Sequence, residues 1–238
     1  MAKNYLQEST DCKNCEQRKD SVFCDLRDSE LDVVNNSKSC LLFKKGEDIF
    51  VERGNPYGLY CISDGKVKLS KLGNTGKQQI VRLATESDVL GYRALLAEEH
   101  YDCTATALTE TRVCFIPMKD FNCIMKNNSN LSKSMFKLLA GDVKSAVQLA
   151  TKIAQKQVKE RLAEVILNLK YAVGTEVDGA TINLSLSREE LANMVGTVTE
   201  TVIRLLSDLK SDHVIDFVGK KIKIINQSEL IRRANIYN

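Results

Sequence analysis

Hydrophobic positions along this chain change their period twice, and each change marks an element boundary. From Leu41 to about Pro117 the apolar residues alternate. Lys66-Val67-Lys68-Leu69-Ser70-Lys71-Leu72 is the clearest case, polar and apolar in turn, as a half-buried strand requires. Glycines at 46, 54, 58, 65, 73, 76 and 91 cut this region into short pieces, and Asp64-Gly65 is a turn signal. The spacing predicts roughly eight short strands closed into a barrel or jelly roll. Ser29 to Val34 reads as a short helix ahead of it. From Asn130 to about Ala154 the period becomes helical. Phe136, Leu139, Val143, Ala146, Ala150 and Ile153 recur at alternating steps of three and four. That is a heptad seam, which a partner helix buries as a coiled coil. Leu138, Val147 and Leu149 offer a second apolar side, for the strand region. Gln157 to Tyr171 predicts another amphipathic helix with Val158, Leu162, Val165, Ile166 and Leu169 inward. Val173 to Leu186 predicts a loop and a small strand.

The last third carries the sharpest local signals. Ser187 followed three residues later by Glu190 is a capping box, so a helix starts there. Leu191, Met194 and Val195 form its apolar stripe, and Gly196 ends it. Thr197 and Glu200 predict a second capping box. Val202, Leu205, Leu206 and Leu209 form the buried face of the second helix. Val214–Val218, Gly219-Lys220-Lys221 and Ile222–Ile225 then read as a hairpin wing. Helix, turn, helix and hairpin outline a winged helix-turn-helix, which lays one helix in the DNA major groove. Thr199, Glu200, Ile203 and Arg204 share the open side of that helix. Glu accepts from cytosine N4, and Arg grips guanine bidentately. Ser187, Arg188, Thr197, Lys220 and Lys221 are placed to meet the phosphate backbone.

Residues 189–196 (Glu-Glu-Leu-Ala-Asn-Met-Val-Gly) and 199–206 (Thr-Glu-Thr-Val-Ile-Arg-Leu-Leu) resemble the helix-turn-helix of the Crp–Fnr superfamily of bacterial transcription regulators. The likeness continues upstream. Asp88-Val89-Leu90-Gly91 resembles a segment of the family's sensory β-roll, and Thr111–Pro117 resembles the strand leading to its dimer helix. The resemblance implies an α+β fold in four parts. These are a cysteine-containing segment at 1–28, a β-roll at 29–128, a dimerisation helix at 129–156 and a winged helix-turn-helix at 157–238. It implies a homodimer on a palindromic duplex, with RNA polymerase as a further partner. In Fnr-type members Glu, Ser and Arg of the recognition helix read bases. Glu200 and Arg204 match, and Ile203 stands where Ser is usual. The competing function class is a signalling module whose winged helix docks protein.

Composition narrows the picture modestly. The 238 residues are 43% hydrophobic and 27% charged, with a net charge of +3. Bases and acids balance between Ser187 and Lys223, so a DNA-binding field has to come from arrangement. Met1 to Asp11 is polar, unlike a signal peptide. No apolar run approaches about 20 residues, so no membrane span is expected and the cytoplasm is the predicted location. With two histidines, no Gly-rich phosphate loop and no Ser-His-Asp grouping, an enzyme is not expected.

Eight cysteines in a chain of this kind point to metal, redox chemistry or burial rather than a disulfide framework. Cys12 and Cys15 form a C-x-x-C pair, Cys24 follows after eight intervening residues, and Cys114 lies in Val-Cys-Phe-Ile-Pro. Fnr-type oxygen sensors resemble this set, with an N-terminal cluster plus one strand cysteine holding a [4Fe–4S] cluster. The resemblance therefore implies Cys12, Cys15, Cys24 and Cys114 as ligands, with Cys103 a rival for the fourth place. Structural zinc and a thiol–disulfide switch stay open on the same residues. Cys40, Cys61, Cys103 and Cys123 read as small core residues. Cyclic-nucleotide binding is disfavoured. Relatives that bind one carry an Arg-Ser-Ala motif for the phosphate, and here the segment is Tyr101-Asp102-Cys103-Thr104-Ala105.

Overall fold

The computed structural model describes residues 4–5, 11–74 and 76–236. Residues 1–3 and 6–10, most of the polar start read from the sequence, lie outside the described residues. Internal contacts divide the chain into two units. One holds residues 1–71 and 81–145, the other 72–80 and 146–238.

The first unit opens with β1 (Asn4–Tyr5), a 3-10 turn at Cys12–Asn14, α1 (Glu16–Lys19) and α2 (Asp28–Ser37). Eight strands follow: β2 (Ser39–Phe43), β3 (Asp48–Phe50), β4 (Gly58–Asp64), β5 (Val67–Leu72), β6 (Gln78–Ala84), β7 (Val89–Leu90), β8 (Thr104–Ala107) and β9 (Thr111–Pro117). Helix α3 (Tyr92–Ala97) interrupts them, and α4 (Met118–Asn127) and α5 (Ser129–Gln155) follow. The strands form two sheets, ordered β1-β2-β9-β4-β7 and β3-β8-β5-β6. This is the expected β-roll.

Strand alternation sorts the side chains of the first sheet into two layers. Leu41, Phe43, Tyr60, Ile62 and Val113 enter the roll interior, with Phe115 packed against them. There Phe50 and Tyr101 stack with centroids 4.0 Å apart. Leu59 and Ile116 face the other way, into a layer built from Phe23, Leu26, Leu31, Phe121, Leu131 and Met135. The outer face of the first sheet is therefore where the N-terminal segment and the helices close over the roll.

Helix α5 is longer than the seam needs. Leu131 and Met135 are buried, and Leu138 and Leu139 are partly so. Phe136, Val143 and Ile153 stay exposed at 70%, 65% and 48%, with Ala146 and Ala150 also exposed. Val147, expected to face the strands, is 60% exposed; Leu131 and Met135, nearer the start of the helix, are its buried residues.

The second unit contains α6 (Val158–Val173), α7 (Arg188–Val195), α8 (Thr199–Ser211), the hairpin β10 (Ile215–Val218) with β11 (Lys221–Ile224), and α9 (Gln227–Arg233). Where a small strand was expected before the recognition unit, only single bridges form, joining Thr175 to Ile182 and Thr181 to Lys223. Leu162, Ile166, Leu191, Val195, Val202, Leu206, Leu209, Ile215 and Ile222 make the core. Met194 and Leu205, read as buried, are intermediate. Ala192 supplies the buried position on α7 instead.

Candidate nucleic-acid interface and thiol-lined cavity

The helix-turn-helix is set by its caps. The Ser187 hydroxyl accepts from the Glu190 amide at 3.0 Å, and the Glu190 carboxylate accepts from the Ser187 amide at 2.8 Å. Gly196 ends α7 in the left-handed region at φ +74°, with its amide donating to the Ala192 carbonyl. The second box does not form. The N-cap of α8 is Val198, with no side-chain cap, and Thr197 is spent in the turn, its amide donating to Ala192 at 3.1 Å. Arg161 of α6 closes the same turn. Its guanidinium donates to the carbonyls of Val195 at 2.9 Å, Lys156 at 2.8 Å and Gly196 at 3.4 Å. These are carbonyls that helix ends leave unpaired. Arg161 drew no attention in the sequence, because its partners are backbone atoms on distant segments.

Burial separates the two sides of α8. Val202, Leu206 and Leu209 are inside. Glu200, Ile203 and Arg204 are exposed, and Thr199 is half-buried at the helix start. Around them, Ser187 and Lys220 are exposed and Thr197 is half-buried. Arg188 lies 4.5 Å over the Phe217 ring, a cation–π contact that fastens the start of α7 to the wing. Lys221 is paired with Glu176 rather than standing clear at the hairpin tip. A phosphate would have to compete with that carboxylate.

The cysteines converge differently from the sequence expectation. A cavity of about 260 Å³ on the outer face of the first sheet is lined by Cys12, Cys15, Cys40, Cys61 and Cys114. Its shape follows from register. Cys40 on β2 and Cys61 on β4 are both direct partners of Cys114 on β9. Opposed residues of an antiparallel pair share a face, so the three thiols form a row across three strands. The N-terminal segment brings the other two. The Cys12 amide donates to Asn35 of α2 at 2.8 Å. Arg18 donates to the carbonyls of Cys12 and Cys24, both at 2.8 Å, folding the segment over the row.

Cys24 itself is exposed and does not line the cavity. Cys103 is buried in the roll interior, on the opposite side of the sheet from the row. Cys40 and Cys61, read as core residues, line the cavity, and Cys123 is exposed. Cys40 and Cys103 are buried as expected, Cys61 is half-buried, and Cys123 is not a core residue.

Electrostatics in the cavity are uneven. Cys40 and Cys114 lie 3.3 Å apart, sulfur to sulfur. Their hydrogen bond pulls the Cys40 thiol down and pushes Cys114 up, and burial raises Cys114 further. Burial also raises Cys12, opposed by Lys38, whose ammonium sits 3.1 Å from the Cys12 sulfur. Burial raises Cys61, with the nearby Cys12 and Cys15 adding to it. Among the described residues no three Cys, His, Asp or Glu side chains are grouped tightly enough for a single metal ion. The thiols ring a space instead. About 10–15 Å³ suffices for one water, so this cavity has room for a multi-atom group.

The roll interior offers no comparable room beside Arg93. The space there, lined by Phe50, Leu69, Leu90 and Cys103 among others, is about 20 Å³. Arg93 is paired with Asp102 at 3.4 Å.

A β-roll with a winged helix-turn-helix in the same chain defines a DNA-binding transcription regulator. Comparison with known proteins agrees. Residues 41–128 match the family described as cyclic nucleotide-binding domain, and residues 160–233 match the Crp-like helix-turn-helix domain. The chain belongs to the Crp–Fnr family of transcription regulators. It is 25% identical over 230 residues to the fumarate and nitrate reduction regulatory protein of Vibrio cholerae serotype O1, covering 94% of this chain and 90% of that one. It is 28% identical over 229 residues to the anaerobic regulatory protein of Aggregatibacter actinomycetemcomitans, covering 92% and 86%. Its fold is similar to that of FixK2 from Bradyrhizobium japonicum, with a TM-score of 0.73, 21% identity, and coverage of 84% and 99%. Among the described residues, no helix is long and apolar enough to cross a membrane.

Proposed function

We propose that this regulator works in the cytoplasm as a homodimer that reads a palindromic duplex and responds to oxygen or redox state through its thiol-lined cavity. The observation that carries the DNA reading is the division of α8, with Val202, Leu206 and Leu209 inside and Glu200, Ile203 and Arg204 outside. Arg204 grips a guanine and Glu200 accepts from a cytosine, while Thr199 and Ile203 complete the reading face. Ser187, Arg188, Thr197 and Lys220 meet phosphates, and Lys221 joins them if it exchanges Glu176 for a phosphate. Dimerisation along Phe136, Leu139, Val143, Ala146, Ala150 and Ile153 presents two such faces roughly 34 Å apart, one turn of duplex. RNA polymerase is the downstream partner implied by family.

The named functions of the relatives, anaerobic and fumarate–nitrate regulation, support a redox signal. The cavity supports an iron–sulfur centre as its receiver. Several thiols ring a space too wide for the tight tetrahedron of one zinc, which suits the corners of a [4Fe–4S] cluster. Cys12, Cys15 and Cys114 are three of its thiolates. When bound, the cluster supplies oxygen-sensitive redox chemistry. The chain's own part is to hold two elements together, since those three cysteines sit on the N-terminal turn and on β9. A small cavity beside an Arg93 already paired with Asp102 argues against a cyclic nucleotide.

The test of DNA reading is Arg204→Ala against a site selected in vitro from random duplex, at fixed salt. Loss of about 1–3 kcal/mol for the selected site, with random duplex unaffected, is expected. Equal affinity of wild type and variant for every duplex would end this reading in favour of a protein-docking wing.

A further inference from the structure

The row of cysteines across the outer sheet raises the question of which thiol completes the set around Cys12, Cys15 and Cys114. Cys24 is the candidate from sequence order, and its position argues against it. It is exposed, its carbonyl is held by Arg18, and its side chain is not part of the cavity wall.

We infer that Cys61 is the fourth thiolate ligand, so that two ligands come from the C-x-x-C turn and two from adjacent strands of the β-roll. This rests on the iron–sulfur reading above. The two-residue alternation of β4 sends Tyr60 and Ile62 into the roll interior. The same alternation sends Cys61 outward beside Leu59. The register of β4 and β9 sets Cys61 directly opposite Cys114, on the same face of the sheet. Cys12 and Cys15, one helical turn apart, line the same cavity. Two pairs of thiols therefore share its wall. One pair is rigid, on paired strands; the other is on a segment that Arg18 and Asn35 fold into place. Cys40 is on the far side of Cys114 from Cys61, since β9 lies between β2 and β4. It touches Cys114 and serves as that ligand's neighbour.

The test uses the full-length chain reconstituted without oxygen from ferrous iron and sulfide. Iron and acid-labile sulfide per chain and the visible spectrum are measured for wild type, Cys24→Ser and Cys61→Ser. Wild type is expected to hold about four irons. Cys24→Ser should match it, and Cys61→Ser should lose at least half the iron and change its spectrum. A second measurement needs no variant. Loaded wild type is alkylated with iodoacetamide and mapped by mass spectrometry, with Cys61 expected protected and Cys24 expected labelled. Cys24 protected and Cys61 labelled overturns the assignment, as does iron loss in Cys24→Ser with full loading in Cys61→Ser. Wild type that takes up no iron overturns the iron–sulfur reading itself, and the assignment with it.

Discussion

Glu164 is a charged side chain where charge is costly. It is 7% exposed on α6, and its carboxylate is shared by Lys152 and Lys156, each at 2.7 Å. Lys156 also donates to the Ala234 carbonyl at 2.8 Å. Burial pushes the Glu164 carboxyl up, but the two ammonium groups outweigh it and hold it below the usual carboxylate range. A lowered folded value means that its stabilisation is fully present above the unfolded value of about 4.3 and is lost as pH falls through the folded one. Glu164→Gln should therefore cost about 1.5–3 kcal/mol at neutral pH, the range for hydrogen bonds to charged groups. The deficit should shrink on acidification. Thermal midpoints from neutral to acid pH measure both, and a deficit independent of pH would contradict the ion-pair account. The Glu200 and Lys220 side chains, by contrast, are exposed, and neither should change the midpoint much when truncated. Lys220→Ala should instead weaken binding to all duplexes evenly and reduce the salt slope by about one unit.

At the scale of elements, α7 and its turn carry most of the local information. Removing the hydroxyl of Ser187 breaks a formed capping box, so Ser187→Ala should cost about 1 kcal/mol. Gly196→Ala forces a Cβ into the left-handed region and should cost about 1–2 kcal/mol. Urea denaturation with an unchanged slope checks both; a larger slope change would mean that the denatured state was altered instead. These features were legible in advance because they depend on residues within four positions of each other. The eight-strand roll and the long helix were legible for the same reason, through period. The α8 cap lies one residue beyond the pattern's Thr197: Thr is the better cap type, but its amide is held in the preceding turn by the Ala192 carbonyl, which leaves Val198 at the N-cap. The faces of Cys40 and Cys61 were not legible. Alternation says that two neighbours point oppositely, but not which side is the interior. That is decided by register with β9, a pairing across 53 residues between Cys61 and Cys114. The network of Tyr92, Arg82, Asp88 and Asp142 was likewise hidden. In it Arg82 donates to the Tyr92 hydroxyl at 3.1 Å and to Asp88 at 2.5 Å, and Tyr92 donates to Asp142 of α5. Its members are scattered over 60 residues and meet only in the folded roll.

For the whole molecule, the seam of α5 is the feature on which the proposed assembly rests. An apolar stripe this exposed on a single chain calls for a partner surface, and no acidic residue interrupts it at Ala146. The dimer is therefore expected to persist when the cysteines are blocked. Sedimentation at micromolar concentration should report a dimer in that state, and a monomer would refute it. Val143→Glu should split the dimer, because two like charges would meet across the seam. DNA affinity should fall with it, as half-sites would then be bound singly.

The grip of Arg161 on these backbone carbonyls has one further bearing. It ties Lys156, just past the end of α5, to the turn ahead of the reading helix. A joint without play behaves like a crank: the operator spacing tolerated by the protein becomes a gauge of how its two long rods cross. Arg161→Ala should then loosen that gauge, so that duplexes with one base pair inserted between half-sites compete almost as well as the parent site.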